Sequence, residues 1–328
     1  MWASVGRAVA LGTVPLLWLA GLLHIWVLVI VLLLFGSFSV FGFAAMQSLL
    51  PRLVPRSQLV KANARLDQAD AAATTLGPTV GGALVGLLGA PVVIAVDAIS
   101  YFADAALNSG LDVDEPRPAS RSRNLMNEMR EGLRFTYRHR TLNPLAISTH
   151  VWFLANGAAL TVLSLFALRS LGFSAYTYGL LLTTFSVASL LGASSAHAIG
   201  TRIGPGRTVI LARSLYPLTW LLVTFATDTL VGHLLLFAAL GLQGLAAGAE
   251  NANEMGYWQA LTPDELLGRV NAARRSVNRT MAALGAVTAG LLVGAIGERP
   301  TLIGVTIVFA IAAGTLAFSP LRHSARDL

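Results

Sequence analysis

"LVPRSQLVKANARLDQADAAATTLGPTVGGALVGLLG", residues 53–89, opens polar and then runs apolar without a charge, with Gly77-Pro78 and Gly81-Gly82 inside the apolar part. Shifted by 208 residues, the stretch recurs without a gap as "LTPDELLGRVNAARRSVNRTMAALGAVTAGLLVGAIG", residues 261–297. Twelve of 37 positions are identical, among them Pro55/Pro263, Asn63/Asn271, Gly77/Gly285, Gly86/Gly294 and Gly89/Gly297. Apolar segments match by composition alone, but the shared proline and asparagine lie in the polar part. Both copies run from a basic loop to a turn on the opposite side, which describes a parallel repeat about an axis along the membrane normal.

Composition places this repeat in lipid. The chain is 55% hydrophobic and 12% charged, with a mean hydropathy of +0.67, whereas soluble domains carry roughly 25% charged residues. Ten apolar runs approach the ~20 residues a spanning helix needs. They lie at 5–23, 25–49, 69–88, 91–109, 143–168, 173–197, 208–226, 229–256, 278–297 and 300–318. Arg7 ahead of the first run imitates a signal peptide. A second run follows directly after His24 without a convincing small-residue cleavage pattern, so the pair reads as a membrane hairpin. The expected fold is all-α and polytopic, with ten transmembrane helices. Extending the offset pairs the first four runs with the last four and leaves 143–168 and 173–197 unmatched. That gives a four-helix half at 1–109, a linker at 110–142 and a six-helix half at 143–328.

A net charge of +7 would point to nucleic acid in a soluble protein, but its distribution points elsewhere. Threading ten spans puts 21 of the 23 Lys and Arg on the side that holds both termini, with Arg169 and Arg299 opposite. The positive-inside rule then makes both termini cytoplasmic, and the basic partners are lipid headgroups rather than nucleic acid. Twenty-two arginines to one lysine fit the codon habit of a GC-rich bacterium, hence a bacterial inner membrane. In the linker, Leu125, Met126, Met129 and Leu133 fall at helical spacing among six arginines from Arg121 to Arg140. A basic amphipathic helix on the cytoplasmic leaflet and a solvated linker helix both fit.

In lipid, helices pack through small residues that let backbones approach. Ala73, Gly77 and Gly81 are spaced by four, as are Gly82 and Gly86, and Pro78 removes a backbone donor and kinks a helix without ending it. The segment is built for tight contact and a bend, a purely structural kink being the alternative. Gly-Pro-Thr-Val-Gly-Gly, 77–82, resembles the later part of the fifth-helix motif of major facilitator drug/proton antiporters, with Ala73 where a glycine precedes it. "PRLVPRSQLVKANARLDQA", "GAPVVIAVDAISYFADAAL", "EGLRFTYRHRTLNPLAIS" and "LTPDELLGRVNAARRSV" are similar to the enterobactin-exporter and macrolide-efflux family. The resemblance implies twelve helices, so the chain corresponds to helices three to twelve and lacks the first two. It also implies a cytoplasmic loop motif at 199–207, "IGTRIGPGR", where Arg202, Gly204 and Arg207 fit and Thr201 stands where an aspartate is common.

Ionisable groups inside spans are costly and default to functional candidates. Asp97 and Asp104 are seven apart, about two turns, on one helix face. They form either a proton path or bonds to neighbouring Ser, Asn or backbone donors. Glu250 and Glu254, four apart with Asn251 and Asn253 between, are the other proton-coupling candidates. Burial and like charge favour a protonatable site there, the alternative being a pairing of Glu254 with Arg269 or Arg274. Asn251, Asn253, His150 and Trp152 are candidates to face a substrate, hydrogen-bonded structure being the alternative for the histidine. The acids lack matching deep bases, which leans toward cationic or neutral solutes. No cysteine is present, which excludes disulfides and thiolate chemistry. No phosphate loop, metal-ligand spacing or nucleophilic triad stands out, so neither cofactor nor metal nor enzymatic activity is expected. The expectation is proton-coupled export of a small molecule such as a drug, macrolide or siderophore by alternating access. A truncated, non-transporting membrane protein or assembly partner is the alternative.

Overall fold

The computed structural model describes residues 2–53, 55, 59–110 and 125–322, and the regular elements among them are all helical. They are α1 (Trp2–Leu19), α2 (Ile25–Leu53), α3 (Leu59–Leu88), α4 (Ala90–Ser109), α5 (Leu125–Arg138), α6 (Leu142–Leu165), α7 (Ala175–Ile203), α8 (Pro205–Thr224), α9 (Leu230–Leu261), α10 (Asp264–Ile296) and α11 (Glu298–Ala317). A π-helical turn, Phe166–Ser170, extends α6. Residues 111–124 of the expected linker lie outside the described residues.

Among the described residues eight helices are long and apolar enough to cross a bilayer: α1, α2, α4, α6 with its π turn, α7, α9, α10 and α11. The other two of the ten expected spans fall short for sequence reasons. Only Ala72–Leu88 of α3 is a continuous apolar stretch, and α8 carries Arg207 and Arg213 in its first half.

The chain divides into two compact units, Met1–Ser120 and Arg121–Leu328. In the first, α1 packs on α2 and α4, around Ala10, Val14 and Val31. In the second, α6 packs on α10 and α11, α7 on α9, and α8 on α9 and α11. The 208-residue offset holds at the level of elements. α4 shifted by it covers Glu298–Ala317, the extent of α11, and the C-terminal ends of α2 and α9, Leu53 and Leu261, coincide. Gly89 and Gly297, φ 80° and 88°, occupy equivalent junctions ahead of α4 and α11 in a left-handed conformation that favours glycine. α1 meets α2 and α4 as α8 meets α9 and α11.

Among the described residues α5, α6 and α7 of the second unit have no counterpart, and the last two explain where its glycines sit. At Gly157 or Gly285 a Cβ would overlap the backbone of Ala282 or Leu154 where α6 crosses α10. Gly192, Gly244 and Gly248 meet the backbone of the facing helix in the same way where α7 crosses α9. The repeat counterparts of Gly285 and Gly244 are Gly77 and Gly36, and neither has an atom within 4 Å of an added Cβ; nor has Gly81. The tight contact expected at Gly77 and Gly81 is therefore absent among the described residues. α3 continues through Pro78, and Gly82 is half-buried.

A contrast follows from this repeat. Gly285→Ala should destabilise the protein by about 1–3 kcal/mol through overpacking, while Gly77→Ala should be neutral or slightly stabilising, alanine being the better helix former by about 1 kcal/mol. Thermal unfolding of the two variants in one detergent checks it; equal shifts would refute the difference between the two faces.

Candidate functional site

The buried charge of the second unit gathers around Arg213. On α8, Val209, Ala212, Arg213, Tyr216, Trp220 and Val223 share the buried face, the three-four spacing of a helix stripe. Arg213 itself is 2% exposed, so its guanidinium must be matched by anions and acceptors. α9 supplies two carboxylates four residues apart, hence on one face. Arg213 donates through Nε to Glu250 Oε1, and its Nη2 pairs with both Glu250 Oε1 and, at 2.9 Å, Glu254 Oε2. A further nitrogen donates to Ser148 Oγ of α6 at 3.3 Å, and Ser148 donates to the Ala312 carbonyl of α11 at 2.7 Å.

Glu254 is shared more widely. Thr149 Oγ1 of α6 donates to its Oε1 at 2.9 Å, and Trp258 Nε1 of α9 donates to the same oxygen at 3.1 Å. Arg274 of α10 stands 3.6 Å from it and lies over the Trp258 ring at 4.6 Å. Five helices thus meet at two acids and two arginines. Trp152 lies between the charge and an aromatic stack, with Arg213 5.8 Å from its ring, Tyr216 at 5.7 Å and Phe309 at 6.4 Å. A cavity of about 600 Å³ opens beside the cluster, lined by Trp152, Phe153 and Tyr216, by Asn251, Asn271 and Asn278, and by the four charged side chains with Arg275.

A helix bundle with a buried ion network beside a cavity large enough for a small molecule matches known proteins along nearly its whole length. The family model described as transmembrane secretion effector covers residues 2–327. The chain belongs to this family. It is a membrane transporter of the major facilitator type. Over 298 residues it is 29% identical to y4rN of Sinorhizobium fredii, an uncharacterised transporter of that type, covering 88% of this chain and 70% of the relative. Among solved structures it resembles a variant of the nucleoside transporter NupG, TM-score 0.69 at 13% identity over 97% of this chain and 83% of that one. It also resembles a bacterial homologue of the iron transporter ferroportin in its inward-facing state, TM-score 0.59 at 16% identity over 95% and 80%. At such identities the likeness shows the fold.

In this transporter the remaining candidates separate. Asn251 is exposed on the cavity wall. Asn253 instead clasps α7 to α9, donating to the carbonyls of Ala196 at 3.2 Å and Ala249 at 2.8 Å, where Gly200 leaves room for its side chain. His150, 7% exposed, contacts Asn278 Oδ1 at 2.7 Å and the Tyr137 hydroxyl at 2.9 Å, joining α6 to α10 and α5. Burial pushes the Tyr137 pKa up, so its hydroxyl stays protonated. In the first unit Asp97 is exposed and meets Ser100 Oγ at 3.4 Å. Asp104 accepts from Asn108 at 2.9 Å and lies 3.6 Å from Arg7 of α1, which stacks over Tyr101 at 4.5 Å. The loop motif contracts to one residue: α7 ends at Ile203, Gly204 turns with φ 92° and Pro205 begins α8. Arg202 and Arg207 are exposed there, and Thr201 bonds back to the His197 and Ala198 carbonyls of its own helix.

Arg213 overturns the expectation that the acids lack a deep base. It lies inside the run 208–226, and its position six residues past Arg207 and fifteen before Asp228 is the sequence signal for a deep base. The pairing expected for Glu254 exists with Arg274, while Arg269 pairs with Glu131 of α5 at 2.7 Å. Removing the central cation should leave Glu250 buried without a cation and Glu254 with Arg274 alone. Arg213→Met is expected to cost about 3–5 kcal/mol, read as a lower unfolding temperature in detergent. Adding Glu250→Gln and Glu254→Gln to it should recover part of that loss, and failure to recover any would deny the coupling.

Proposed function

We propose that this chain exports a small molecule in exchange for protons by alternating access, with Glu250 and Glu254 as the protonation site and Arg213 as their switchable counter-ion. The observation that carries this reading is one buried arginine divided between two carboxylates at the wall of a cavity. A proton on Glu250 neutralises one of the two anions and leaves Arg213 and Arg274 in excess over Glu254. The contact between α8 and α9 then weakens, so the proton has different affinities for two arrangements of these helices, which is the requirement for driving a conformational change. Glu250 takes this role ahead of Asp97, whose exposed carboxylate has no buried cation to release.

The cavity's charges balance except for Arg275, and its aromatic walls offer apolar surface. Arg213 and Arg274 match the two acids, so unpaired acid gives no preference for cationic solutes. Drugs, macrolides and siderophores with polar groups on an apolar frame are the substrate class proposed. Basic loops on one side put both termini in the cytoplasm of a bacterial inner membrane.

Accumulation of a macrolide, a dye and a siderophore in cells with and without the chain tests the proposal. The chain should lower accumulation of at least one, and an uncoupler should remove that effect. Glu250→Gln should abolish gradient-driven export while leaving passive exchange in vesicles. No change with any compound would favour the non-transporting alternative; unimpaired export by Glu250→Gln would remove Glu250 from coupling.

A further inference from the structure

α5 is held on one side and bare on the other. Its inner side lies against α10 so closely that a Cβ on Gly132 would come within 2.6 Å of the Arg269 carbonyl oxygen. Glu131 pairs with Arg269, Thr136 is buried, Phe135 packs on a core cluster, and Tyr137 reaches His150. Protein thus covers the side bearing Gly132, Phe135 and Thr136; the side chains of Leu125 and Met126 lie outside the described residues. On the outer side Arg130, Arg134 and Arg138 are all exposed, and none makes an ion pair or side-chain hydrogen bond among the described residues.

Four-residue spacing advances about 6 Å and turns about 40° per step, so the three guanidinium groups form one continuous row about 12 Å long. Arg138 stands four residues before Leu142, where the apolar helix α6 begins, so the row ends at headgroup level. A groove runs beside it, lined by the three arginines with Asn127, Leu133, Tyr137 and Glu131, the last already paired with Arg269.

We propose that this row binds the phosphate headgroups of anionic phospholipids in the leaflet next to α5. The planar guanidinium matches two phosphate oxygens at once, and each arginine close to an anionic surface strengthens attachment by about fivefold. Phe135 and Thr136 of α5 are spent on protein, and the exposed row is all arginine, so headgroup charge is the means of contact. Lipid held there bears on α10 through Glu131–Arg269 and on α6 through Tyr137–His150, two helices that line the cavity. The proposal is independent of substrate and of proton coupling.

The full chain, reconstituted in mixed phosphatidylcholine and phosphatidylglycerol nanodiscs and then transferred to detergent, tests it by mass spectrometry of the retained lipid. Wild type should retain phosphatidylglycerol preferentially, and added salt should reduce the preference. The triple variant Arg130→Gln, Arg134→Gln, Arg138→Gln should lower it by about 100-fold, while the triple Arg→Lys variant should keep most of it. Should the glutamine triple fail to fold, Arg134→Gln alone should still lower it by about fivefold. Unchanged retention in the glutamine variants overturns the proposal. So does displacement of the row's contacts by heparin without any phospholipid preference, which would assign the surface to a soluble polyanion.

Discussion

A guanidinium with no water around it must be matched by anions, and Arg213 on α8 finds two of them one turn apart on α9. Glu250 and Glu254 would repel each other across that turn, and the fork between them converts repulsion into a joint that fixes α8 against α9 in rotation and depth. The joint then recruits its surroundings. Ser148 ties Arg213 to α6 and α11, and Thr149, Trp258 and Arg274 complete the coordination of Glu254. Buried ion pairs are weak contributors to net stability when compared with apolar packing of the same volume, but losing one partner is severe. The network is thus better understood as a device that makes helix arrangement depend on charge than as a source of stability.

The first unit repeats the frame without repeating the charge. Gly42 is the offset counterpart of Glu250, and a Cβ there would lie 3.3 Å from a terminal nitrogen of Arg7. An arginine on the first helix of each repeat copy, α1 and α8, therefore approaches the same level of the next helix, α2 and α9. In the first unit its acid comes from α4, through Asp104; in the second, the equivalent α11 position is Ala312, whose carbonyl serves Ser148. Duplication preserved helix order and pairing, while the polar centre diverged.

Packing without a hydrophobic driving force between helices rests on backbone proximity. The crossings of α6 with α10 and α7 with α9 are both made at glycines that leave no room for a Cβ. They form two walls of the cavity, so the same close approach that stabilises the unit also brings Trp152, Ser189 and Asn278 to the space beside Glu250.

Repeat, helical class and positions of the turns were legible in the residues themselves, because apolar runs of bilayer length and Gly-Pro junctions are local properties. The α4 and α11 limits follow from Gly89-Ala90-Pro91 and Gly297-Glu298-Arg299-Pro300. Where α3 and α10 begin was less legible, since Leu59 and Asp264 precede their apolar runs; those polar segments are good helix formers and extend the helix beyond lipid. Glu250 and Glu254 were visible as costly charges, but their partner was not. Arg213 is 37 residues from Glu250 in sequence, and only the rotation of α8 against α9 decides that its guanidinium points between the carboxylates rather than out to solvent. The same holds for His150 and Asn253: their chemistry is written in the chain, but whether each turns to a cavity or to a neighbouring helix depends on which faces meet, which is settled by packing among segments remote from one another.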